Sequence, residues 1–162
     1  MIILEATPHD FEDIWPIFRD VVSSGTTYVY SPDTPKYTAF SIWMVQPKKT
    51  YIARSHPNGP IMGTYYIKEN RPDLGNHICR CGFMVNSLFR RQGVGEALCE
   101  HAFEMASLLG FRGMQLSYVV ATNTASIQLW LKMGFREIGR VPGAFQHAQQ
   151  GDVDVLIMHK SL

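Results

Sequence analysis

The chain has 162 residues, enough for one domain that buries roughly 70% of its unfolded surface without a disulfide or metal staple. It is 46% hydrophobic with a formal net charge of +1 and no block of like charge, which argues against nucleic acid or an acidic membrane as partner. The three cysteines are an odd number, no signal peptide opens the chain, and no apolar run would span a bilayer, so the expectation is a soluble protein of the reducing cytoplasm.

Residues 1–6 read as a short apolar strand. Thr7-Pro8 reads as a helix cap and first helical position. Phe11, Ile14/Trp15, Phe18 and Val21/Val22 then form one apolar stripe, with Pro16 inside it predicting a kink or a break. Residues 23–35 are rich in Ser, Gly and Pro and read as a long loop, a type often functional in compact domains. Thr34-Pro35 marks a second helix start, with Ala39/Phe40, Trp43 and Met44 on one face. Residues 49–55, 61–69 and 77–85 read as a three-strand meander, punctuated by turns at 56–60 and 71–75. A helix from Val94 runs through Leu98, His101/Ala102, Met105 and Leu109 to a C-cap at Gly110. Residues 113–120 form a strand and 122–134 a short helix closed by Gly134. Strands at 135–141 and 153–159, joined by a loop over 142–152, complete the chain. The order βαα, βββ, α, β, α, ββ predicts a mixed α/β domain with a meander ahead of a βαβ-like unit.

The stretch from Phe83 to Cys99 carries the chemistry. It is a strand, then Arg90, Arg91, Gln92, Gly93, Val94, Gly95 and Glu96, then a helix. The first N–H groups of a helix lack partners inside it, and the dipole adds partial positive charge there. Two glycines let an anion approach the backbone, and two arginines add charged donors. Together they predict a diphosphate site formed by the N–H groups of residues 91–96. A P-loop is excluded, because Glu96 follows Gly95 where Lys-Ser/Thr is required. A dinucleotide fingerprint is excluded, because Leu98 holds the place of its third glycine.

Arg90-x-x-Gly93-x-Gly95 after a strand resembles the acetyl-CoA motif of the GNAT superfamily of N-acetyltransferases. Asn123-x-x-Ser126-x-x-Leu129-Trp130-x-x-x-Gly134-Phe135 resembles the second segment of that superfamily, at the expected distance. A narrower resemblance joins Ser24-Gly-x-Thr-Tyr28, Gly63-Thr-Tyr-Tyr-Ile-Lys68, Cys81-Gly-Phe-Met-Val-Asn86, Val120-Ala-Thr-Asn-x-Ala-Ser126 and Ile138-Gly-Arg-Val-Pro142 to the azetidine-2-carboxylate (proline-analogue) N-acetyltransferases. This chain has Ser117 where that group carries asparagine.

The resemblance implies one acetyltransferase domain over residues 1–162, with a mixed central sheet of about seven strands and helices on both faces. It implies acetyl-CoA as cosubstrate and direct attack of a small amine, an amino acid or its analogue, on the thioester. Many relatives form homodimers. The donor would be held by Met84 and Val85 of the splayed strand, by residues 90–96, and by Asn123 and Ser126. The acceptor would meet Tyr28, Tyr30, Asn86 and Ser117, with Asn86 and Asn123 at the reacting centre. Asn86 also suits a turn, and Asn123 a helix N-cap. Many relatives have a tyrosine where this chain has Trp130, so Tyr28, Tyr30 and Tyr118 are the first candidates for an acid. Other acceptors fit the same chemistry: a protein N-terminus, a lysine side chain or an aminoglycoside. The acidic residues are scattered, with only Asp152 and Asp154 close together, which argues against a polycation. A CoA-binding module without catalysis would carry the same turn. His77, Cys79 and Cys81 share a strand face, but no second cluster completes a zinc set, so no metal is expected.

Overall fold

A computed structural model describes residues 1–162. Its strands are β1 (Ile2–Glu5), β2 (Lys49–Arg54), β3 (Ile61–Glu69), β4 (Ile78–Val85), β5 (Gly113–Val120), β6 (Arg136–His147) and β7 (Gly151–Ser161). Its helices are α1 (Phe11–Ser23), α2 (Lys36–Phe40), α3 (Val94–Leu108) and α4 (Thr124–Lys132). The strands form one mixed sheet in the order β1-β2-β3-β4-β5-β7-β6. Every neighbouring pair is antiparallel except β4 and β5. The α/β domain with a seven-strand sheet is therefore as the sequence predicts.

Alternation along β3 builds two cores. Tyr65 points to the face covered by α3 and α4, where Leu98, Met114, Phe135 and Met158 are buried. Tyr66 points to the face covered by α1 and α2, with Phe18, Trp43 and Met84. Each such side chain contributes about 1.5–3 kcal/mol on burial. Two polar groups in this second core have partners. The Trp43 indole donates to Thr64 Oγ1 at 3.0 Å, and Thr64 donates to the Tyr51 carbonyl at 2.8 Å.

Pro16 does not split α1, so of the kink or break that the sequence predicts, the break is absent. It lies on the solvent face one turn beyond Glu12, which is also exposed, so the carbonyl it leaves unpaired faces water. The second correction concerns residues 142–152. Most of this expected loop is strand, because β6 and β7 pair out to His147↔Gly151. Pro142 and Gly143 sit at a register shift between Val141 and Phe145, where a bulge removes the need for their ladder bonds. Phe145 then packs with Val120 and Val155 as a small third core.

Candidate active site

β4 and β5 pair only at Ile78↔Gly113 and Cys79↔Met114, then part. Residues 24–35, which link α1 to α2, reach into the gap, where the Tyr28 hydroxyl donates to the Phe83 carbonyl at 2.7 Å. The direction of the β4 backbone follows from its flanks. Ile78 O accepts from Asn70 N, and Asn86 N donates to Met62 O, so even-numbered groups face β3. His77 O accepts from Arg112 N, so odd-numbered groups face β5. Beyond the fork, the N–H groups of Phe83 and Val85 therefore point into the gap with no strand to receive them. Of the two residues the resemblance implies for the donor, Val85 has its amide toward the gap, whereas the Met84 amide faces β3 and its side chain is buried under α1. The second amide that opens toward the gap is that of Phe83.

The turn after β4 leads into α3. Arg91 and Gly93 both adopt left-handed backbone, with φ of 58° and 76°. A side chain in that conformation is strained, by about 1–2 kcal/mol, so Arg91 is held there by the turn around it. The N–H groups of residues 91–96 find no acceptor within the chain. Arg90, Arg91, Gln92 and Gly93 are exposed, and neither arginine has a carboxylate partner. Glu96 turns aside to Lys132 of α4 at 2.7 Å. Val94 is buried, so only its backbone is available to a ligand.

A cavity of about 270 Å³ fills the fork. Tyr28 and Tyr30 close one wall, Ser117 and Tyr118 another, and Asn123 with Ser126 the end nearest α4. Asn123 also caps α4, accepting from Ser126 N at 3.4 Å, as its helix N-cap alternative predicts. Trp130 lines the same end and packs on Phe83, with ring centroids 5.1 Å apart. Asn86 does not line the cavity. Its amide donates to Ile61 O at 3.0 Å and accepts from Leu88 N at 3.1 Å, tying the end of β4 to β3 and to the next turn. That is the turn-asparagine alternative, set by pairing the sequence does not display.

No carboxylate or imidazole lines the cavity, and Arg80 is its only charged residue. Burial pushes the hydroxyls of Tyr28, Tyr30 and Tyr66 up, so each stays protonated near neutrality. Burial likewise pushes the Cys81 thiol up, which removes it as a nucleophile. Sequence reasoning missed Phe83, Gly82, Tyr66 and Arg80. One signal was available: a lone arginine between two cysteines in an otherwise apolar strand.

A forked parallel pair beside a glycine-led helix start defines the class. Residues 11–135 match the acetyltransferase (GNAT) family. The chain belongs to that family, a class of acetyl-CoA-dependent N-acetyltransferases. It is similar to a GCN5-related N-acetyltransferase from Kribbella flavida, at 39% identity and a TM-score of 0.93, covering 99% of this chain and 97% of that one. It is 35% identical over 98 residues to the N-acetyltransferase aca1 of Schizosaccharomyces pombe, covering 60% of this chain and 47% of that protein. The chain thus spans about half the length of that curated relative. A phosphinothricin acetyltransferase from Sinorhizobium meliloti, in complex with AcCoA, shares the fold, with a TM-score of 0.85 and 20% identity, covering 99% of this chain and 88% of that one.

Proposed function

We propose that the chain transfers the acetyl group of acetyl-CoA to the free amine of a small acceptor seated in the β4–β5 fork. The observation that carries this reading is the fork itself, which opens unpaired β4 donors beside the unpaired donors of the α3 turn. The turn suits a diphosphate: its N–H groups, the positive end of α3 and the free Arg90 and Arg91 converge. Acetyl-CoA supplies an activated acyl group as its thioester.

The chain contributes placement and charge stabilisation. Holding amine and thioester together is worth up to roughly 7–11 kcal/mol of barrier. The N–H groups of Phe83 and Val85 are donors for the oxyanion that forms when the amine attacks. Asn123 and Ser126 line the α4 end of the cavity and offer polar groups for the pantetheine arm. Tyr28, Tyr30 and Ser117 line its walls and would border the acceptor. Thiolate leaves without an obligatory acid, since a thiol has a pKa of about 8.5. The narrower sequence resemblance favours a free amino or imino acid as acceptor over a polypeptide.

The test is release of CoA thiol in the presence of a panel of free amino acids, polyamines and peptides, with Arg90→Ala and Arg91→Ala beside the parent protein. Each exposed arginine should weaken acetyl-CoA binding by about tenfold and leave the melting temperature unchanged. Thiol release with no amine in the panel, or unchanged donor affinity in both variants, would refute it.

A further inference from the structure

Arg80 sits directly opposite Lys68 in the antiparallel β3–β4 ladder. Like charges in that position repel, and strands ordinarily avoid the pairing. Neither residue has a carboxylate within ion-pairing distance. Lys68 turns over the Tyr66 ring, 5.6 Å from its centroid, and Arg80 lines the cavity. Arg80 Nε is buried and has no hydrogen-bond partner; it is the only buried side-chain nitrogen or oxygen in the chain without one. A guanidinium cannot escape this by losing its proton. Burial and the neighbouring guanidinium both push the Lys68 ammonium down, consistent with an excess of positive charge at this spot.

Backbone parity places Arg80 on the α1–α2 face with Gly82 and Met84. Tyr30 and Tyr66 lie beside it. This is the acceptor side of the fork, away from the α3 turn. A half-buried guanidinium whose Nε has no partner, in a cavity with no acidic residue, matches a planar anion that can accept two parallel bonds. A polycationic acceptor would be repelled there.

We propose that Arg80 anchors the carboxylate of the acceptor, so that the acceptor class is free amino or imino acids and not simple amines. The inference rests on the transferase reading for its substrate but on Arg80 for its selectivity. The acceptor amine then lies a few atoms from the anchor, toward Phe83 and the thioester.

The experiment compares acids with their decarboxylated partners: proline against pyrrolidine, and alanine against ethylamine, with rates referred to the neutral amine. The parent protein should favour the acid by about 10- to 150-fold in kcat/KM, the worth of a hydrogen-bonded charge. Arg80→Met should erase that preference by raising KM for the acid far more than KM for pyrrolidine, so that the acid-to-amine ratio of kcat/KM falls to about one. Arg80→Lys should restore part of it. Equal efficiency on acid and amine in the parent protein overturns the anchor and leaves the transferase standing; that arm needs no variant to fold. Calorimetry with proline in the presence of CoA separates the two readings. Arg80-dependent proline binding without acetylation of any amine would keep the anchor and sink the transferase reading. An equal loss on proline and pyrrolidine in a folded Arg80→Met protein would reduce Arg80 to packing.

Discussion

A Cβ on Gly95 would stand 3.0 Å from Cδ2 of Leu129. The first turn of α3 thus lies directly against α4, and a side chain at position 95 would have to displace Leu129. Gly93 does different work: nothing lies within 4 Å of its Cβ position, and its φ of 76° is what demands glycine. Gly95→Asp should therefore lower the unfolding free energy by about 1–3 kcal/mol in urea, as overpacking does, along with any loss of acetyl-CoA binding. Gly93→Ala should cost about 1–2 kcal/mol from backbone strain alone. A Gly95→Asp protein with an unchanged urea midpoint contradicts the packing role, so the arginines remain the cleaner probe of the turn.

Asn86→Ala should act on stability. The change removes the bond to Ile61 O and the acceptor for Leu88 N, at a cost of about 1–3 kcal/mol. Michaelis constants for acetyl-CoA and the acceptor should stay within twofold, about 0.4 kcal/mol. A large rise in acceptor KM at unchanged melting temperature would return Asn86 to the reacting centre.

The pH profile should have one ascending limb. No carboxylate or imidazole lines the cavity, and its buried tyrosines keep their protons well into the alkaline range. The only group that titrates in the working range is then the acceptor amine, which attacks only when neutral. Two acceptors whose amines differ in pKa should show limbs displaced by that difference. Tyr28→Phe should keep the shape, because its hydroxyl is occupied by Phe83 O. A limb at the same pH for both acceptors would reveal a base in the protein.

Asp10 should make the fold acid-sensitive. Its carboxylate accepts from the Thr7 amide at 2.7 Å and the Thr7 hydroxyl at 2.9 Å, and pairs with Arg54 at 3.0 Å. Burial pushes its pKa up, but these bonds outweigh that and hold it below the ordinary value. A depressed folded pKa stabilises above the unfolded value of about 3.9 and loses that effect as pH falls through the folded value. Asp10→Ala should cost about 1–2 kcal/mol at pH 7, the worth of a helix cap, and the cost should shrink below pH 4. A constant difference between the two proteins from pH 7 to pH 3 would argue against the linkage.

Local chemistry was legible in the chain. Gly93 and the apolar spacing after it specify a helix start with free donors, because left-handed backbone and missing N–H partners are properties of a few adjacent residues. The α/β order, the long 24–35 connection and the Asn123 cap are local in the same sense. Distant pairings were not. Whether Asn86 faces a substrate or Ile61 depends on β3, and whether Met84 or Phe83 opens to the fork depends on which strand each amide faces. Pro142 and Gly143 read as a loop until β7 pairs on either side of them, at Val141 and Phe145. The opposition of Arg80 to Lys68 arises from strand register, set by turns and by burial of one face, and neither residue signals the other in sequence. The fold brings a lone arginine, four tyrosines and an open backbone to one cavity, and that juxtaposition exists only once the sheet has closed around it.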